Sequence, residues 1–131
     1  MQDQHRQSQP PQSVGQVRLL IYSGRPDPQW PLAADAAHEL AKRMTGVVGG
    51  EPIHPPPPGG LGYRGFLVRM TVPVEGLPAE FLAYRRVVTV RPGPRAEHWR
   101  DTAGVEDYLL DEARRQNQGA ALDALGVSRA R

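Results

Sequence analysis

Three side chains in the segment Ser23-Gly24-Arg25-Pro26-Asp27-Pro28-Gln29-Trp30 have types that could hold a ligand. Arg25 offers a planar fork of donors that matches a carboxylate or a phosphate. Trp30 offers a flat apolar surface with one polar edge. Asp27 could pair with Arg25 or cap the turn. Pro26, Pro28 and Pro31 each fix φ and lack an N–H, so the segment reads as a stiff, preformed loop. On this reading Arg25 to Pro31 neither joins a β-ladder nor continues a helix. Tyr63 and Arg64 carry matching chemistry, and Arg25, Asp27, Trp30, Tyr63 and Arg64 together are the expected ligand- or partner-binding residues. The same residues also fit a structural reading, with Arg25 and Asp27 bracing a turn and Trp30 plugging a core.

A catalytic reading is thinner. Ser23 stands at a strand end before a glycine, as a nucleophile does in a sharp strand-to-helix turn, but the preceding glycine is missing. The alternative function is therefore a small hydrolase or transferase using Ser23 or Asp27 with His98. Acid–base chemistry needs paired groups within reach, and no such pair is adjacent in the sequence. The balance leans away from an enzyme, and no catalytic residue is assigned.

Other motifs fail on context. His38-Glu39-Leu40-Ala41-Lys42 begins like a zinc-protease helix but ends in lysine, leaving one imidazole on that face. His54 and His98 are far apart in sequence. There are no cysteines, which excludes disulfides, thiolate zinc sites and cysteine nucleophiles. Gly60-Leu61-Gly62-Tyr63-Arg64-Gly65 matches G-x-G-x-x-G, yet it follows a proline loop and opens a strand, the reverse of a dinucleotide fingerprint. Its glycines fit a bulge or a close backbone approach instead. No metal and no cofactor are expected.

The chain has 131 residues, enough for one domain. Its 16 basic residues, all arginine except Lys42, are scattered among 14 acids for a net charge of +2. A nucleic-acid binder would cluster them on one face, so that partner class is disfavoured. No apolar run is long enough for a membrane span, and the N-terminal stretch has no secretory apolar core. A cytoplasmic protein with no membrane partner is expected.

The elements that must position these residues follow from periodicity. Met1 to Gly15 is rich in Gln, Ser and Pro and reads as a disordered tail, with a single domain over 16–127 and a frayed end at 128–131. Val17, Leu19 and Ile21 mark a buried strand. Ala33, Ala36, Ala37, Leu40 and Met44 form one helical stripe, with Glu39 and Arg43 paired outside it. Pro55 to Pro58 favour polyproline II, as a spacer or, less suitably, as bait for an aromatic groove. Tyr63 to Val74 reads as a second strand and Phe81 to Arg91 as a third. The run from Val105 to Gln116 is an amphipathic helix with Asp101 or Thr102 as its cap. The expected fold is a small two-layer α+β domain, order β-α-β-β-α: a three-stranded, mainly antiparallel sheet with two helices on one face. Its open face would carry Arg69, Thr71, Arg85 and Thr89. An exposed face or edge of that kind would support a homodimer.

The stretches Ser23 to Trp30, Leu61 to Phe66 and Tyr108 to Leu110 resemble a group of small uncharacterised bacterial proteins. These carry an SGRP-[DN]-P-x-W segment and an LGYRGF segment. The resemblance covers about Val17 to Ala113 and implies no activity. The expected function is a non-catalytic binding or protein-interaction module built on the SGRPDPQW loop. Its partner would be a protein or a small anionic ligand. A third reading, a nucleic-acid module using the sheet-face arginines, would show steep salt dependence.

Overall fold

A computed structural model describes residues 12–22, 24–57, 62–91 and 94–127. The polypeptide runs β1 (Ser13–Leu19), β2 (Gln29–Ala33), α1 (Ala34–Thr45), β3 (Phe66–Met70), β4 (Glu80–Tyr84), β5 (Val87–Val90), β6 (Glu97–Arg100), α2 (Val105–Arg115) and α3 (Gly119–Ala124). The strands form one sheet in the order β2-β1-β3-β4-β5-β6, every neighbour antiparallel. This corrects the expected three-stranded sheet with two helices: among the described residues there are six strands and three helices, still in an α+β arrangement.

Three local causes account for the extra strands. Pro31 does not keep Gln29–Ala33 out of the sheet, because β2 is an edge strand. Leu19 N–H donates to the Pro28 carbonyl at 2.9 Å, and alternation then turns Pro31 outward, where a missing donor leaves no ladder bond unmade. The stretch Phe81 to Arg91 is a hairpin, not one strand. Arg85 and Arg86 form its two-residue turn, both at positive φ (51° and 64°), as such turns require. The turn resets the alternation, so Phe81 and Ala83 share the core face with Val88 and Val90. Finally, Glu97–Arg100, expected as a loop, pairs with β5.

The other edge is also blunted. Arg100 N–H donates to the Glu51 carbonyl and Ile53 N–H to that of His98, with Pro52 opposite Trp99. Proline thus stands along both edges, which limits further pairing. Of the stretch expected as a tail, Ser13 to Gly15 belongs to β1. Residues 1–11, and the expected frayed end at 128–131, lie outside the described residues.

One face of the sheet buries Val17, Leu19, Phe66, Val68, Phe81 and Val88 against the helices. α1 adds Ala36, Ala37, Leu40 and Met44; α2 adds Val105, Leu109 and Ala113; α3 adds Leu122. This continuous apolar interior is the main stabilising term of the fold. Arg43, salt-bridged to Glu39 at 2.9 Å, also donates to the carbonyls of Ala103 and Gly104 and so ties α1 to the entry of α2. Gly104 precedes that helix. Asp101 supplies the cap from three residues earlier, its carboxylate accepting from Val105 and Glu106 N–H at 2.9 Å each.

Candidate functional site

Antiparallel order brings four chain segments to one end of the sheet: the exit of β1, the entry of β3, the β4–β5 turn and the exit of β6. The first two are stitched together, Leu20 N–H donating to Gly65 and Arg64 N–H to Leu20. Gly65 permits the approach to β4. Its φ is +101°, and a Cβ there would lie 2.5 Å from the Ala83 carbonyl oxygen.

Asp27 lies inside the loop after β1. Its Oδ1 accepts from the backbone N–H of Ile21 at 2.9 Å and of Tyr22 at 2.7 Å. Arg64 crosses from the β3 entry to donate to the Tyr22 carbonyl at 2.8 Å, and stands 3.8 Å from Asp27 Oδ2. These bonds fix Tyr22, and Arg25 lies over its ring with the guanidinium carbon 3.8 Å from the centroid. Arg25 is exposed and pairs with no carboxylate among the described residues.

Trp30 is elsewhere. It is 5% exposed in the core, edge-on to Phe66 at 6.5 Å, and its indole nitrogen has no hydrogen-bond partner among the described residues. His98 is on β6, four strand spacings from β1, or about 19 Å. Its Nδ1 is 2.9 Å from Thr89 Oγ1. Asp27 and His98 are therefore not brought together, and Ser23 lies outside the described residues. The two tryptophans likewise stand on opposite edge strands of the sheet.

Tyr63 reaches into a second cluster that sequence reasoning missed. Its hydroxyl donates to Glu106 Oε2 at 2.5 Å. The same carboxylate accepts the backbone N–H groups of Arg85 at 3.2 Å and Arg86 at 2.9 Å. Glu106 is only 9% exposed. Burial, reinforced by the neighbouring carboxylate, pushes the Tyr63 phenol far above its ordinary range, so the hydroxyl stays protonated as a donor. Tyr63 also packs edge-on against Tyr84, and Arg85 lies 5.4 Å over the Tyr84 ring. A carboxylate at the first turn of a helix gives no pattern in a single sequence that separates it from a surface acid.

Two compartments open beside these clusters. One, of about 470 Å³, is lined by Ile21, Tyr22, Arg25, Ala121 and Ala124. The other, of about 550 Å³, is lined by Tyr63, Tyr84, Arg85, Glu106, Leu110 and Val127 among others. Both are bounded by Gly62 and Leu125, whose Cδ2 lies 3.8 Å from where a Gly62 Cβ would stand, so the two adjoin across that contact as the halves of one groove, with Leu125 as the divide. Among the described residues no three His, Asp or Glu side chains converge as a metal site, and no helix is long and apolar enough to cross a membrane. No family model matches the chain, and no curated protein or solved structure proves similar to it.

Proposed function

We propose that the protein is a non-catalytic binding module that takes an anionic ligand, or an acidic surface of a partner protein, at the loop after β1. The observation that carries this reading is Arg25 resting on the Tyr22 ring at the mouth of the groove, exposed and without a carboxylate partner among the described residues. A guanidinium held flat on an aromatic face keeps its edge N–H groups free for a carboxylate or phosphate. Asp27 and Arg64 act behind it as the brace that holds Tyr22 in place. Trp30 supports the loop from the core. Preorganisation of this kind lowers the ordering cost of binding.

The test is a thermal-shift screen of the protein and its Arg25→Ala variant against carboxylates, phosphates and short acidic peptides. A ligand that binds only the folded state raises the melting temperature, by about 2.7 kcal/mol of stability at a hundred times its Kd. The reading expects hits that Arg25→Ala removes while the unliganded melting temperature holds. A variant that melts lower and changes no ligand response would make Arg25 a turn brace instead.

A further inference from the structure

The groove does not stop at Arg25. Resting on the reading above, we propose that its occupant is an extended peptide segment of a partner protein, bearing two acidic side chains with apolar residues between them. Arg25 receives one acid and Arg85 the other.

Four observations converge on this. First, the groove has an arginine laid on a tyrosine in each half, Arg25 on Tyr22 and Arg85 on Tyr84. Arg85, like Arg25, pairs with no carboxylate side chain among the described residues, whereas Arg86 and Asp107 on the same rim both have partners within the protein. Glu106 lies in this half too, but it is only 9% exposed, with its oxygens turned to the Tyr63 hydroxyl and the turn N–H groups, so little of its carboxylate faces an occupant. Second, the ground from Arg25 to the junction of the two halves is apolar. Ala121 and Ala124 leave room, and Leu125, 43% exposed and seated against Gly62, forms a ledge where the two halves meet. An exposed leucine between two cationic ends suits a chain that is apolar in the middle and acidic at both sides.

Third, the spacing suits a peptide. β1 and β4, which lead to the two arginines, are two strand spacings apart, or about 10 Å. An extended chain rises about 3.3 Å per residue, so two acids with one to three residues between them, about 7 to 13 Å apart, bracket that span. Fourth, the two halves are both open to solvent and meet at Gly62 and Leu125, so a chain can lie across them rather than be swallowed. A polynucleotide would set regularly repeated phosphates over this apolar ledge, where no cation among the described residues receives them.

The experiment is fluorescence anisotropy with labelled, terminally blocked peptides Glu-(Leu/Ala)n-Glu, n from one to five, beside versions with one or both Glu replaced by Gln. The inference expects an optimum at n of one to three, at least tenfold tighter than the single-Glu peptides. Arg25→Ala and Arg85→Ala should each reduce the double-Glu peptide to the single-Glu level, with melting temperatures confirming that both variants fold. If the second Glu adds less than twofold at every spacing, the inference is overturned. Should single-Glu peptides then still bind through Arg25, the anion-binding reading stands without it. If no peptide of the series binds, the inference falls, and the thermal-shift screen decides the reading beneath it.

Discussion

Tyr63 and Glu106, 43 positions apart in the chain, share a hydrogen bond that joins the entry of β3 to the first turn of α2. The carboxylate also holds the β4–β5 turn through two backbone N–H groups. Removing it with Glu106→Ala leaves a buried phenol and two turn donors without a partner. We expect a loss of about 3 kcal/mol, a drop of roughly 10 °C or more in melting temperature. Tyr63→Phe should cost only about 1 kcal/mol, and the double variant less than the sum of the two. Strict additivity in thermal melts would contradict the shared role.

Asp27 is a brace by geometry, with one oxygen accepting from both Ile21 and Tyr22. Asp27→Ala should therefore destabilise by about 2 kcal/mol. Asp27→Asn keeps an acceptor oxygen and should cost less than half of that. Equal losses in denaturant titrations would mean that charge, through Arg64, matters more than the turn.

Gly65→Ala tests the close approach of β3 to β4. The new Cβ would meet the Ala83 carbonyl oxygen at 2.5 Å with φ at +101°. A loss of about 3 kcal/mol is expected. A neutral effect would mean that the two segments separate at little cost.

Arg85 should uncouple stability from binding. Its φ of 51° disfavours any L-residue by about 1–2 kcal/mol, which glycine relieves at a smaller entropic cost in the unfolded chain. Arg85→Gly is expected to melt at the same temperature or slightly higher, yet to lose the second acidic contact. A clear drop in melting temperature would show that the side chain itself holds the turn.

Alkaline stability depends on Tyr63. Burial, with the Glu106 charge and hydrogen bond, raises this phenol above its ordinary value of about 10. Between those two values the folded protein keeps a proton that the unfolded chain has lost. The stabilisation is complete below pH 10 and declines as pH rises beyond it. Tyr108 moves in the same direction, chiefly through burial. Unfolding midpoints measured from pH 9 upward should fall less steeply for Tyr63→Phe than for the parent protein; parallel curves would contradict this.

The sequence made some of this legible and hid the rest for physical reasons. The core faces of β1 and β3 and the stripe of α1 were readable because Val17, Phe66 and Leu40 sit in clean periodic patterns. The hairpin was hidden because Arg85 and Arg86 occupy a turn that usually advertises itself with Asn or Gly. β2 was hidden because proline argues against a strand until its place at the sheet edge is known. Of the expected site residues, Tyr63, Arg64, Arg25 and Asp27 stand at one end of the sheet, which the chain's local patterns could not disclose. Glu106 reached the site through long-range pairing that leaves no local signal.

Arginine side-chain Nε–Hε resonances followed by ¹⁵N-edited NMR, while a double-Glu peptide of optimal spacing is added, test the central claim most directly. The account predicts that the signals of Arg25 and Arg85, assigned by their single substitutions, move together and saturate at one Kd. If both stay fixed while arginines on the open sheet face, such as Arg18 and Arg69, move instead, the groove is not the binding site.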